Sequence, residues 1–476
     1  MRYVALAVIL ASLPAFIAWL QSNPRNRDLA LTLMGALVFA TGSLRVSTDI
    51  YGMAGWTGMS TGFGLSPVDT LALALLLTRK RSGRALPFTW LIVANLAVLA
   101  FSVLLSQVWI ASAFAVWDFL RVFLVFLAVG GEVARSTAYP ALLRGLSIGL
   151  MVQAAYVIQQ KLSGVVQATG TLPHQNALGM MAGLVLLNLL AAMLEGERSW
   201  LMKLGALAGA IVIAGGGSRA AIGFTGCAAL VLIILSIARR PTPGKWGIAA
   251  AGAVVMAAAG ALAMATLTDR FDGDRFVRDE GHRMAMESAA RSIASDHPFG
   301  VGVNSFAFIS NTQGYAERAN ISWAGTNRSA PVHNAYLLAR AETGYQGEIT
   351  FALMLFVPTV AGLVFAFRHR SRPRDGWPLG AAVALGAVSV HSVYEFNSMV
   401  YAIQLPLLMT IAIIAGAIRA FRLAQDDESP VSTVNHGQSA DPALPAMPRI
   451  PTARMAGKVS VPDGALPSPS RPGSRR

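Results

Sequence analysis

Apolar residues in this chain fall in long, nearly unbroken blocks rather than at the three-to-four-residue or two-residue spacing of a half-buried helix or strand. A helix needs roughly 20 mostly apolar residues to cross a bilayer. The stretches from Tyr3 to Leu20, Leu86 to Val108 and Gly247 to Leu267 meet that requirement. Taken in order, the blocks predict helices near 3–20, 29–46, 65–78, 86–107, 109–131, 140–160, 177–194, 200–216, 220–238, 246–267, 347–367, 377–396 and 398–419. The expected fold class is therefore all-α integral membrane, with about 12–13 transmembrane helices whose ends are placed to within ~2–4 residues. The first block follows one arginine, but Ala18-Trp19-Leu20-Gln21 lacks the small-x-small pattern of a cleavage site. It is expected to remain as the first helix.

The polar interruptions give the blocks a sidedness. Arg79-Lys80-Arg81 with Arg84, Arg239-Arg240 with Lys245, and Arg368 to Arg374 with its four arginines are strongly basic. Basic loops stay in the cytoplasm, and an even number of predicted spans separates each pair of them. Alternation then places the segments around His174, around Arg219, from Thr268 to Gln346 and around Asn397 on the opposite face, along with Met1. The Thr268 to Gln346 loop holds eight arginines, no lysine and nine acidic residues, a balance compatible with translocation. The expected organisation is membrane helices over 1–267, a large translocated loop over 268–346, membrane helices over 347–420 and a tail over 421–476. The tail is rich in Pro, Ser, Ala and Gly, buries too little apolar area to offset its ordering entropy, and is expected to be disordered and cytoplasmic.

Composition agrees: 54% of residues are hydrophobic and only 13% charged. The formal net charge of +14 would suit nucleic acid, but the cations sit in short loops and the tail, so it reads as a topology signal and no nucleic-acid partner is expected. The single cysteine, Cys227, lies in an apolar run, where it is expected to be a small core residue. One thiol makes no disulfide framework or thiolate metal site.

Chemical character concentrates on the face opposite the basic loops. Pro331-Val332-His333-Asn334-Ala335-Tyr336-Leu337 leads into Glu342-Thr343-Gly344-Tyr345-Gln346-Gly347, just before an apolar block. Ser329 or a neighbour suits a helix cap, Pro331 the first turn and Gly344 the end, which places His333 in the first turn. A helix N-terminus disfavours imidazolium and attracts anions, so a histidine there tends to stay neutral beside a phosphate, as a general base requires. The plainer alternative is a capping or interface histidine. In Gly215-Gly216-Gly217-Ser218-Arg219-Ala220-Ala221 an arginine stands at the translocated edge, against the positive-inside bias. Its planar fork suits bidentate phosphate contacts, and the glycines allow close backbone approach. A snorkelling interfacial anchor is the alternative. Asp118 and Arg121, one helical turn apart inside a block, read as a neutralised structural pair.

His333-Asn334-x-x-Leu337 followed by Gly344-x-x-Gly347 resembles the hallmark of the O-antigen ligase and polymerase superfamily. Ser218-Arg219 is similar to a Ser-Arg motif of that superfamily, and His297-Pro298-Phe299-Gly300-Val301-Gly302 to its His-Pro-x-x-Gly-x-Gly turn. Arg283, in Gly281-His282-Arg283, matches the arginine preceding that turn, although Met284-Ala285-Met286-Glu287 stands where the family often has an aromatic. The turn is no dinucleotide fingerprint, since a third glycine is missing at the required spacing. Weaker matches are Gly170 to Asn176, with His174, and His391-Ser392-Val393-Tyr394-Glu395-Phe396-Asn397. Either stretch would line an acceptor groove or simply be a polar helix end. The resemblance spans about Gly170 to Asn397.

It implies a multi-pass protein of the bacterial inner membrane with a C-type glycosyltransferase-like fold and an active site facing the periplasm. The donor would be a glycan on undecaprenyl pyrophosphate and the acceptor a glycan or lipid A core, with membrane lipids around the chain. His333 would be the catalytic base, Arg219 and Arg283 would bind pyrophosphate, and Asn334, His174 and Glu395 would contact substrate. No metal or nucleotide cofactor is expected, because pyrophosphate is already a good leaving group and no Asp-x-Asp or His cluster has ligand spacing. With no carboxylate evident to form a glycosyl intermediate, displacement should invert the anomeric carbon. Ligase and repeat-unit polymerase share these motifs. A transporter is the alternative from another class, disfavoured because the polar residues gather at one face rather than at the midplane.

Overall fold

The computed structural model describes residues 2–41, 46–79, 84–268, 273–323, 327–370 and 376–428. The chain is an all-α integral membrane protein, and 75% of its described residues are helical. Each predicted block holds a helix: α1 (Arg2–Ser22), α2 (Asn26–Leu37), α3 (Pro67–Leu77), α4 (Thr89–Val103), α5 (Trp109–Glu132), α6 (Ala138–Leu162), α7 (Gln175–Leu194), α8 (Trp200–Gly216), α9 (Arg219–Arg239) and α10 (Pro243–Thr268) come before the large loop. The loop contributes α11 (Gly273–Asp296), α12 (Phe306–Thr312) and α13 (Tyr315–Arg318), and α14 (Ala335–Arg368), α15 (Trp377–His391) and α16 (Tyr401–Glu428) complete the order.

The span count differs from the expectation. Among the described residues, seven helices (α1, α5, α6, α7, α9, α14 and α16) are long and apolar enough to cross a membrane, while α3, α4, α8 and α15 are apolar but shorter. The block at 29–46 yields only the 12 residues of α2, about 18 Å at ~1.5 Å per residue, before a 3-10 turn at Val38–Thr41. The block at 377–396 ends at His391, whereas α16 continues to Glu428, past the expected tail boundary at 421. The remainder of that tail, 429–476, lies outside the described residues, as do parts of two basic loops (80–83 and 371–375). A short antiparallel hairpin was not anticipated: β1 (Thr48–Gly52) pairs with β2 (Gly62–Leu65), with a register shift between Asp49 and Gly52.

Packing explains why most helices are apolar all round. α6 lies between α2 and α8, α7 packs on α8, α9 and α15, and α16 packs on α5 and α15, so their side chains join one continuous core. Cys227 corrects an expectation: it is exposed on α9, since an apolar run does not say which face meets protein. Asp118 and Arg121 belong to a wider buried network. Arg121 pairs with Asp69 of α3 at 2.9 Å as well as with Asp118 at 2.8 Å, and its guanidinium lies 4.1 Å from the Tyr401 ring centre.

Ion pairs define two ends of the bundle. At one, Arg27 holds Glu132 and the Thr78 carbonyl, Arg239 holds Glu195 and the His369 carbonyl, and Arg419 donates to the Arg84 carbonyl. All three predicted basic segments therefore contribute to this basic end. The N-termini of α5, α7 and α9, the C-terminus of α15 and the large loop lie at the other. There the loop builds a second hydrophobic core, which includes Met286, Ile293, Val301, Phe306, Tyr315, Leu337 and Leu338.

Candidate active site

The second core is joined to the bundle at a break in α14. Gly344 has φ 74° and ψ −175°, a conformation that interrupts the helix and that side-chain-bearing residues rarely adopt. The turn at Pro298–Gly302 fits into this break. Val301 N–H donates to the Ala341 carbonyl at 3.2 Å, Gly302 N–H to the Glu342 carbonyl at 2.8 Å and Tyr345 N–H to the Pro298 carbonyl at 3.4 Å. A Cβ on Gly344 would come within 2.6 Å of the Pro298 oxygen. Past the turn, Asn304 donates to the carbonyls of Ser60 and Ala111, which ties the loop to α5 and the segment after β1. The glycines of this motif are thus used to seat the loop.

The same seating fixes His333. Asn334 is the N-cap of α14, its Oδ1 accepting from Leu337 N–H at 3.0 Å. His333 therefore stands one residue outside the helix rather than in its first turn, and neither Ser329 nor Pro331 has the role expected of it. Ala335 N–H donates to the Ser392 carbonyl at 2.8 Å and the Tyr336 hydroxyl to the Ser389 carbonyl at 2.9 Å, which hold this entry against the end of α15.

Immediately after α15, Glu395 is 1% exposed and accepts four side-chain hydrogen bonds. Its Oε2 receives His333 Nδ1 at 3.1 Å and Asn397 Nδ2 at 3.3 Å, and its Oε1 receives Asn176 Nδ2 at 2.6 Å and Arg283 Nη2 at 3.1 Å. Arg283 also donates to the Tyr394 carbonyl at 3.4 Å. The His333 and Arg283 side chains remain 23% and 34% exposed. A carboxylate only accepts, so His333 Nδ1 carries a proton, and in the neutral ring the lone pair is then at Nε2. Burial pushes the Glu395 carboxyl up, but the hydrogen bond from His333 and the charge of Arg283 outweigh it, leaving the group below the ordinary glutamate value.

The structure thus brings His333, Arg283 and Glu395 into one cluster. Glu395 has no surface to offer a substrate, so direct contact is not what its position provides. His174 is exposed and caps α7, its Nδ1 accepting from Asn176 N–H at 3.2 Å, while Asn176, two residues on, reaches the cluster. Asn176 and Asn397 were both within quoted motifs yet not singled out, because one sequence does not show which polar residue of a helix end faces inward. His391 is buried against the Phe224 ring, with Nε2 lacking a hydrogen-bond partner. Arg219 is the first residue of α9, behind the Ser218 cap and Gly217 (φ 61°). It stands at the same end as the cluster: Gly179 of α7 packs against Ala221, and Phe224 of α9 stacks near Tyr394, their centroids 5.7 Å apart.

The sequence model of the O-antigen ligase family matches residues 204–352. Over this segment the chain is similar to O-antigen ligases. It runs from α8 to beyond the break in α14 and contains Arg219, Arg283, the 298–302 turn and His333. Three members of the cluster, Asn176, Glu395 and Asn397, lie outside the matched segment and are joined to it only by the fold. No curated protein matches the chain. The resemblance is to glycosyltransferase-type membrane enzymes. Among the described residues no group of three or more His, Cys, Asp or Glu is placed to hold a metal ion.

Proposed function

We propose that this chain transfers a glycan from undecaprenyl pyrophosphate to an acceptor hydroxyl at the periplasmic face of the bacterial inner membrane, as an O-antigen ligase does. The observation that carries the reading is the partly exposed His333, which with Arg283 lies inside the segment similar to O-antigen ligases and is held by the buried carboxylate of Glu395. His333 Nε2 takes the acceptor proton as the hydroxyl oxygen attacks the anomeric carbon. The bond from that carbon to the pyrophosphate oxygen breaks, and the polyprenyl pyrophosphate departs. Arg219 and the exposed part of Arg283 bind the pyrophosphate and stabilise the charge that grows on it, a positioned-cation effect that commonly exceeds that of the base. Neither metal nor nucleotide is consumed. Among the described residues the carboxylate beside His333 is that of Glu395, which is buried and fourfold bonded and so cannot attack the sugar, and single displacement inverts the anomeric centre.

Deletion of the gene in its host, with complementation by wild type, His333→Ala or Arg219→Ala, tests the reading. Wild type should restore the surface glycan, while His333→Ala should lose ~10²–10⁴-fold in transfer rate, the share a general base supplies. Long chains accumulating on the lipid carrier identify a ligase. Single repeat units accumulating identify the polymerase of the same superfamily. Full restoration by both variants would overturn the assignment and favour transport.

A further inference from the structure

We propose that Glu395 is a positioning residue that sets the base and one cation of the site together, holding His333 in its Nδ1–H tautomer and holding Arg283 beside it. The proposal rests on the reading of His333 as the base. At 1% exposure Glu395 cannot touch a substrate, so whatever it contributes passes through its partners. Those partners come from four places: Asn176 at the start of α7, Arg283 on α11, His333 before α14, and Asn397 two residues on. The two oxygens divide the work. Oε1 takes Arg283 and Asn176, and Oε2 takes the imidazole and Asn397.

The chemistry requires such a group. A neutral imidazole has two tautomers, and only the one with Nδ1 protonated presents a lone pair at Nε2. A carboxylate against Nδ1 selects that tautomer and stabilises the imidazolium formed when the acceptor proton arrives. Carboxylates that orient catalytic histidines elsewhere act in the same way. Here the carboxylate also takes a guanidinium, so a single group fixes the direction of the ring and of the cation. Glu395 lies 62 residues from His333 and 112 from Arg283, and outside the 204–352 segment, so the site is incomplete without the stretch between α15 and α16.

Glu395→Gln in the full-length protein tests the proposal, assayed in membrane vesicles with a polyprenyl-pyrophosphate-linked glycan purified from the host. The amide keeps the volume but loses the charge and is no longer acceptor-only. The turnover rate should fall by ~10²-fold, within the contribution of the base that it orients. In a His333→Ala, Arg283→Ala background the same change should alter the residual rate by less than ~3-fold, because its effect runs through those two groups. A wild-type rate in Glu395→Gln, or a ~10²-fold loss that persists in the double-variant background, would overturn the proposal. An active His333→Ala would instead overturn the reading of the base.

Should Glu395→Gln not reach the membrane, Asn176→Asp leaves Glu395 in place and sets a second carboxylate against Oε1 in competition for Arg283. It should slow transfer ~10-fold. An unchanged rate would overturn the proposal.

Discussion

Glu195 and Glu395 stand at opposite ends of the bundle, and each gathers two cationic or basic side chains. Glu195 accepts from Arg239 at 2.8 Å and Lys245 at 2.9 Å, partners whose side chains are 0% and 3% exposed. Arg239 is bonded further to the carbonyls of Ala366 and His369, and Lys245 to that of Ser236. Every donor is turned inward, and the cluster clamps α7, α9 and α14 together. Glu395 is as buried, but its partners His333 and Arg283 keep a quarter to a third of their surface open. The same ion chemistry makes a lock in one place and the proposed site in the other. Exposure of the partners, not the carboxylate, separates the two.

Glu195→Ala should sharpen this contrast most. It strands two buried cations, for which a loss of about 3–5 kcal/mol of stability is expected, while transfer per folded molecule stays within ~2-fold. Thermal unfolding in detergent beside the vesicle assay measures both, and a variant with normal stability and lost transfer would break the comparison. Gly344→Ala should cost about 1–3 kcal/mol, since the new Cβ faces both a disfavoured backbone conformation and the Pro298 carbonyl. Because the break seats His333, transfer should fall with stability. A variant with unchanged melting and rate would show that the break does not position the site.

The smallest effect expected is on pH. Glu395 ionises below its ordinary 4.5 in the folded protein, so its stabilisation is fully present above about pH 4.5 and is lost as the pH falls through the lower folded value. The melting difference between wild type and Glu395→Gln should shrink as the pH falls below about 4.5. A difference unchanged down to about pH 3 would contradict the ionic character of the cluster.

Much of the helical frame was legible because blocks of apolar residues survive any choice of packing. Helix lengths were not. The chain leaves helix α2 at Val38 with no proline to announce it, and the hairpin before α3 alternates too briefly to register. Gly344 was read as a helix end because only glycine suits its conformation, whereas the cap was put near Ser329 when Asn334, equally suited, performs it. At the site, His333, Arg219 and Arg283 stood out by residue type and motif. Glu395 was noticed for its motif, but its burial, which leaves no surface for a substrate, comes from groups up to 219 residues away. His174 was preferred to Asn176 for the same reason. Side-chain direction at a helix start depends on what packs there, and one sequence does not contain that information.

The break at Gly344 also divides the site mechanically. Leu337, Leu338 and Ala341, before it, belong to the core of the large loop, and Phe351, Met354 and Leu355, after it, to the core of the bundle. His333 rides on the loop side of this joint and Arg219 on the bundle side. Ala335, although before the break, packs in the bundle core, and hydrogen bonds from His333 to Glu395 and from Tyr336 to Ser389 tie the loop side to the bundle. A change in the gap between His333 and Arg219 therefore needs these ties to give as well as the glycine to turn, so the site opens only as far as its own anchors allow.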